Sequence, residues 1–153
     1  MELRYIIAAR LHLLHRWSCP WASSEEAPPP AWRGEYGELV AASYLRAAGY
    51  RVLRQRFRYG AGGEVDLVCR HGEELVFTEV KSTVSARSGS AARRVDREKR
   101  ELLRRGARNW LMLLGFPVPY RFDIVEVELP AGQRPVLHHT QRAFAGQESA
   151  SYL

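Results

Sequence analysis

Residues 63–81 constrain the fold most, because their apolar side chains recur at every second position. Val65, Leu67 and Cys69 alternate with mostly charged residues, and a similar alternation resumes after the His-Gly pair at 71–72. A period of two, enriched in Val and Phe and interrupted by Gly, is typical of two strands joined by a tight turn. The sequence therefore predicts a β-hairpin at the centre of the fold.

The length of the hairpin connection determines which side chains face each other. A four-residue connection (71–74) places Asp66 opposite Glu79, whereas a two-residue connection places Asp66 opposite Phe77 but on the same face as Glu79. Opposed Cβ atoms lie about 4.5–5.5 Å apart, where like charges destabilise a sheet. Two carboxylates on a half-buried face need a proton or a cation. A divalent metal, with Lys81 two residues beyond Glu79, would satisfy them; a solvated strand face is the alternative interpretation.

Positive charge in this chain is carried almost entirely by arginine. Of the 23 Lys and Arg residues, only Lys81 and Lys99 are lysine. A lysine ammonium is compact and its pKa can be tuned, whereas the arginine guanidinium is always charged. We therefore expect an ammonium group to be needed at these two positions.

Composition indicates one packed domain with an anionic partner. The chain has 153 residues, 46% of them hydrophobic, and a net charge of +6. Cys19 and Cys69 lie far apart with no metal-ligand spacing around them, which argues against a zinc site or a disulfide framework. These features predict a protein of the reducing cytoplasm.

The chain divides into three parts. Residues 1–31 predict a poorly ordered extension with a Pro-rich linker, in which the apolar stretch 3–14 is too short and too charged to cross a membrane. Residues 32–145 form the predicted domain, and residues 146–153 a flexible tail. We expect no association with membranes.

A helix is predicted from Gly34 to Ala48, where Gly49 ends it. Glu38 lies in its first turn, where it either favours the positive end of the helix dipole or reaches a metal. A strand is predicted to follow over residues 51–59.

A long helix is predicted over residues 91–114, with Leu103, Gly106 and Trp110 in its core stripe. Lys99 lies within that stripe, so it either finds a partner in the pocket of Asp66 and Glu79 or extends along the edge of the core. Residues 120–129 predict another strand, and residues 135–144 an edge strand.

Basic residues cluster around the hairpin and along the long helix. Such a basic stripe is often only a solvated face, but an excess of positive charge on one loop and helix also resembles a surface that binds a phosphate backbone by charge and shape. The predicted DNA contacts are Arg56, Arg58, Arg93, Arg94, Arg97, Arg100 and Arg104.

The acid of one strand followed by Glu-x-Lys on the next resembles the PD-(D/E)xK nuclease pattern, and the order helix, three strands, helix, strand resembles restriction-endonuclease-like folds. The chain also resembles the YraN-like family of small bacterial proteins, which is similar to archaeal Holliday-junction resolvases. The matching residues are Gly37-Glu38, Ala41, Leu45, Gly49-Tyr50, Gly63-Glu-Val-Asp-Leu67, Val76-Phe-Thr-Glu-Val-Lys81, Gly89, Val95, Lys99, Ala107, Trp110-Leu111, Arg121-Phe-Asp-Ile-Val125 and Ala143-Phe144. The chain departs from the family at Ser82, where relatives commonly have Arg, which puts the DNA contacts in doubt.

This resemblance implies an αβββαβ fold with a central mixed sheet flanked by helices. It also implies a Mg²⁺- or Mn²⁺-dependent DNA endonuclease, selective for branched DNA or acting on duplex. Glu38, Asp66 and Glu79 would be catalytic metal ligands, and Lys81 the catalytic lysine. Supporting contacts would come from Glu64, which the register places opposite Lys81, and from Lys99. A homodimer would follow by analogy with junction resolvases.

Two other functions fit the same residues. One is a non-catalytic nucleic-acid-binding protein in recombination, repair or DNA uptake, which would not need an intact acidic site with lysine. The other is an RNA-processing nuclease, against which the absence of a His near the predicted site argues. Because fold does not imply function, the resemblance alone does not decide between them.

Overall fold

The computed structural model describes residues 30–60, 62–84 and 97–146. Most of the predicted N-terminal extension, Cys19, Arg93, Arg94 and the tail after Gly146 lie outside these residues. The elements in chain order are α1 (Pro30–Ala47), β1 (Arg51–Arg58), β2 (Glu64–His71), β3 (Glu74–Thr83), α2 (Arg97–Leu114), β4 (Tyr120–Glu128) and β5 (Val136–Phe144). Neither helix in these ranges is long and apolar enough to span a membrane.

The five strands form one mixed sheet in the order β1-β2-β3-β4-β5. β3 and β4 are parallel, and every other neighbouring pair is antiparallel. A parallel pair requires a crossover connection, and α2 lies within it. The predicted fold class, a mixed sheet flanked by helices, is confirmed, and β5 is the predicted edge strand.

Both faces of the sheet are covered, one by each helix. On the first face Leu45 of α1 packs in a cluster with Leu67 and Val125, and on the other Leu103 of α2 packs in a cluster with Phe77. Consequently the five consecutive residues 65–69 of β2 are all buried. The prediction of a half-buried hairpin face was therefore wrong, because the second helix removes the solvated side.

The register of the hairpin is the one predicted for the longer connection. Arg70 pairs with Leu75, and His71 pairs with Glu74, so only the two residues between them turn the chain. Gly72 has a positive φ of 60°, which glycine adopts without steric cost. Asp66 is thereby carried to the end of β2 that lies near Glu79.

A glycine marks the end of α1. Within the described residues the helix begins at Pro30, four residues before the predicted start. It ends at Ala47, and Gly49 follows with a φ of 89°. The N–H of Tyr50 donates to the carbonyl of Leu45, which closes the helix as predicted.

We expect Gly37→Ala to lower the free energy of unfolding by about 1–3 kcal/mol. A Cβ at Gly37 would lie 1.7 Å from Ser82 Oγ and 2.9 Å from Ser82 Cβ, so α1 would have to move away from β3. Gly34→Ala is the matched control on the same helix, since nothing lies within 4 Å of its added Cβ, and it should be neutral or stabilising. Urea denaturation measures both, and equal effects would contradict this close packing.

Candidate active site

Asp66 lies where β2 and β3 separate. The backbone pairing of the two strands ends at Leu67 and Thr78. Asp66 is the next residue of β2, and its carboxylate replaces a backbone acceptor: Val80 N–H donates to Asp66 Oδ2 at 2.8 Å. A side chain therefore satisfies a main-chain donor that the ladder leaves open. This bond fixes the buried carboxylate beside β3.

The alternation of β2 reverses at the same residue. Val65 packs in the cluster on the α2 side, whereas Leu67, two residues later, packs in the cluster on the α1 side. Residues two apart in a regular strand share a face, so the backbone is irregular at Asp66. On β1 the neighbouring irregularity is Arg56, whose φ is 49°.

Glu79 is buried between the two lysines of the chain. Only 2% of its surface is exposed. Lys81 Nζ lies 2.8 Å from Glu79 Oε1, and Lys99 Nζ lies 3.4 Å from Glu79 Oε2. The second contact is an ion pair whose geometry falls short of a hydrogen bond. Lys99 thus has the inward partner that its place in the core stripe suggested.

Burial and mutual repulsion control the protonation of this carboxylate pair. Burial and the charge of Glu79 raise the pKa of Asp66 to about 7, although the Val80 N–H and Lys99 oppose the shift. Burial alone would lower the pKa of Lys99, but the charges of Glu79, Asp66 and Glu64 outweigh it and raise that pKa. The site therefore holds one ammonium firmly and one carboxyl that titrates near neutrality.

Two glycines allow α2 to bring Lys99 this close to β3. A Cβ at Gly106 would lie 2.7 Å from Val65 Cγ2, and a Cβ at Gly63 would lie 2.6 Å from the nitrogen of Gly106. Helix and strand therefore approach backbone to backbone at this point. Lys99 lies seven residues before Gly106 on the same helix, so this contact also fixes the position of Lys99.

Glu38 approaches the site from α1, but in this structure an arginine holds it. Arg56 Nε donates to Glu38 Oε2 at 2.6 Å, and Arg56 Nη1 lies 3.7 Å from Glu35. Glu38 is close enough to Asp66 that its charge contributes to the raised pKa of that carboxyl. Glu38 thus borders the pair without joining it.

Glu64 does not take the predicted place opposite Lys81. The ladder between β2 and β3 ends before Glu64 is reached, and Glu64 instead pairs with Arg58 of β1 at 2.7 Å. This hydrogen bond lowers the pKa of the Glu64 carboxyl. Glu64 still lies near Lys99, whose pKa its charge helps to raise.

The residues present fit a hard divalent cation through two carboxylates. Within residues 30–60, 62–84 and 97–146, no three His, Cys, Asp or Glu side chains converge closely enough to hold a metal. Mg²⁺, however, is commonly held by one or two carboxylates together with water and substrate phosphates. Asp66 and Glu79 supply such a pair, and the weakly paired Glu79 Oε2 is an oxygen still able to bind a cation.

The arginines predicted to contact DNA differ in their freedom to do so. Arg97 is exposed at the start of α2. Arg100 and Arg104 instead lie over the ring of Phe144, at 5.4 and 5.5 Å from its centroid, and Arg104 also donates to the carbonyl of Ala145. These two arginines therefore pack β5 against α2, which the sequence did not indicate.

A second buried polar cluster lies on the α1 face, around Asp123. Arg121 Nε donates to Asp123 Oδ1 at 3.0 Å, and His139 Nε2 lies 3.0 Å from Asp123 Oδ2. The N–H of Arg142 also donates to Oδ1, and Arg121 donates to the Tyr50 hydroxyl. Burial would raise the pKa of Asp123, but the bonds from His139 and Arg121 outweigh it and lower that pKa.

In the metal-free protein we expect the free energy of unfolding to fall as the pH rises from about 4 to about 7. Between the unperturbed value of 3.8 and the folded value of about 7, the folded state keeps a proton on Asp66 that the unfolded state has released. Asp66→Asn removes this penalty, so it should be more stable than the wild type by about 1–3 kcal/mol at about pH 8.

Urea denaturation at about pH 5 and about pH 8, at constant ionic strength, measures the difference. Asp123→Asn is the control, because that carboxylate is stabilised in its charged form, and it should destabilise the protein at both values. A loss of stability in Asp66→Asn at the higher pH would show that the charged Asp66 is favourable in the fold.

Comparison with known proteins places the chain in a family. The model of the uncharacterised protein family UPF0102 matches residues 37–127, which include every residue of the candidate site. A UPF0102 protein of Symbiobacterium thermophilum is 44% identical over 96 residues, 62% of this chain and 80% of its own. Relatives from Streptomyces coelicolor and Chlorobaculum tepidum are 39% and 35% identical over 71% and 75% of this chain and 85% and 93% of their own. The chain therefore belongs to the UPF0102 family.

Proposed function

We propose that this protein is a divalent-metal-dependent endonuclease that hydrolyses DNA phosphodiester bonds. The observation that carries the proposal is the buried pair Asp66 and Glu79 beside Lys81, at the end where β2 and β3 separate. Two buried carboxylates that repel each other are destabilising unless a cation or a proton joins them. Strongly perturbed carboxyl groups of this kind cluster at functional sites.

Each side chain of the site has a role that its position supports. When bound at Asp66 and Glu79, Mg²⁺ or Mn²⁺ would supply positive charge to the scissile phosphate and acidify water. The Val80 carbonyl would be a further oxygen ligand under this proposal. Lys81 is 37% exposed beyond the buried Glu79, so its ammonium can contact the phosphate and orient the attacking water. Lys99 holds Glu79 from the α2 side.

The resemblance to the PD-(D/E)xK nucleases and junction resolvases supports the choice of DNA as substrate. We further propose that the protein belongs to the restriction-endonuclease-like superfamily, is selective for branched DNA, forms a homodimer and acts in the cytoplasm. Positive charge near the site is consistent with a phosphate backbone, since Arg58 is 71% and Arg56 49% exposed. We therefore propose that Arg56 and Arg58 contact the phosphate backbone and not particular bases.

A non-catalytic DNA-binding protein is the second candidate. It is favoured by one observation: Glu38, Glu64 and Glu79 each have a cation of the chain beside them, so the described site is electrically balanced without a metal. A binder that retains the fold would need no more than this. Cleavage assays separate the two functions directly.

We expect the wild-type protein to cut DNA only with Mg²⁺ or Mn²⁺, and Glu79→Gln to lower the rate about a hundredfold or more. The amide keeps the shape of the side chain but removes the negative charge that would hold the cation. Labelled four-way junction, flap, single-stranded and duplex DNA are the substrates. The control is Glu73→Gln at the hairpin turn, where the side chain is 90% exposed. If the wild type and Glu79→Gln bind DNA equally and neither of them cuts it, the second candidate is established.

We expect binding to weaken with salt, and Arg58→Gln and Arg97→Gln each to reduce the slope of log affinity against log salt by about one. Each variant removes one exposed guanidinium from the proposed path of the backbone. Arg70→Gln is the control, because Arg70 contacts Glu73 at the far end of the hairpin. Fluorescence anisotropy over a salt series measures the slopes, and salt-independent binding would exclude an electrostatic footprint.

A further inference from the structure

We propose that Arg56 couples metal binding to DNA binding by exchanging Glu38 for a phosphate of the DNA backbone. In the free protein Arg56 holds Glu38 away from the metal site. When a phosphate takes the guanidinium, Glu38 is released toward Asp66 and the cation. The inference rests on the proposed function, and it assigns Arg56 as a positioning residue of that site.

The contacts of Arg56 show both halves of the exchange. Arg56 Nε and Glu38 Oε2 lie 2.6 Å apart, and Glu35 adds a second carboxylate at 3.7 Å. The Glu38 side chain is 19% exposed and that of Arg56 49%, so the carboxylate points inward and the guanidinium remains open to solvent. A phosphate arriving from solvent would therefore meet the arginine first.

The backbone directs Arg56 to this position. Its φ of 49° is in the left-handed region, which residues with a Cβ adopt only where their surroundings require it. Such conformations occur often at ligand sites and switches. Arg56 lies beside the residue at which β2 reverses its alternation, so one irregularity places both Asp66 and Arg56.

Charge balance favours the exchange only when phosphate and a divalent cation bind together. If phosphate bound alone, Glu38 would be left unpaired near Asp66, and the charge of Glu38 already raises the pKa of Asp66. A divalent cation alone would compete with Arg56 for Glu38. Both ligands together satisfy both partners of the ion pair, so each should bind better in the presence of the other. Such coupling is reciprocal by thermodynamic necessity.

The first experiment measures DNA affinity with and without Mg²⁺ at constant ionic strength. The probe is a fluorescent duplex with phosphorothioate linkages, which slow cleavage, and anisotropy is the readout. We expect Mg²⁺ to tighten binding by the wild type about three- to tenfold. Arg56→Gln should lose this effect. Arg58→Gln should keep it, because Arg58 of β1 pairs with Glu64 of β2 and not with Glu38, while its loss also removes an exposed arginine.

The second experiment measures Mg²⁺ affinity without DNA by calorimetry. Arg56→Gln should bind Mg²⁺ about three- to tenfold more tightly than the wild type, because Glu38 is no longer held. The double variant with Glu38→Gln should lose this gain. If Arg56→Gln does not fold, Glu38→Gln alone breaks the same ion pair from the helix side, and it should abolish the effect of Mg²⁺ on DNA affinity.

A parallel cleavage assay with unmodified duplex separates this inference from the proposed function. Metal-dependent cutting with no effect of Mg²⁺ on DNA affinity, or with the effect intact in Arg56→Gln, overturns the exchange and leaves the nuclease. Coupling that is lost in Arg56→Gln, without cutting of any substrate, supports the exchange and overturns hydrolysis.

Discussion

The burial of Glu79 is the constraint on which the rest of the site depends. A carboxylate with 2% of its surface exposed cannot stay charged without nearby cations. Lys81 comes from its own strand, but Lys99 comes from α2, so the helix must lie at a fixed distance from β3. That distance requires the backbone contact at Gly106, where any side chain would meet β2. The electrostatics of the site therefore depend on how closely α2 packs against the sheet.

Two buried aspartates, on the strands β2 and β4 that flank β3, show why only one of the two polar clusters is suited to chemistry. Asp123 has Arg121, His139 and a main-chain N–H as partners, and these lower its pKa. Asp66 accepts from the Val80 N–H and lies beside another carboxylate, and its pKa is raised. A satisfied buried charge stabilises a fold, whereas a carboxyl left near neutrality favours the binding of a cation. The first network therefore anchors β4 and β5, and the second is the candidate site.

Sequence reasoning predicted the features that short-range rules determine. The hairpin and the stop at Gly49 follow from alternation and glycine, and the inward Lys99 follows from helical periodicity. Alternation allowed two registers for the hairpin, of which the structure has the one with Arg70 opposite Leu75. The reversal at Asp66 could not be predicted, because Arg56 carries the left-handed conformation that usually marks a glycine. The arginine held by Glu38 was likewise missed, since that contact joins residues 18 positions apart on different elements. The packing of Arg100 and Arg104 on Phe144 depends on the edge strand, which local patterns place but do not orient.

The use of lysine in an otherwise arginine-based chain now has a structural reason. Both lysines meet at Glu79, with one ammonium at each carboxylate oxygen. An ammonium binds one oxygen as a compact point charge, whereas a guanidinium presents a planar fork of donors. The more exposed carboxylates of the site, Glu38 and Glu64, pair with arginine instead. The free protein is therefore balanced by its own cations, and under the proposed exchange a metal ion and a phosphate would have to bind together to displace them.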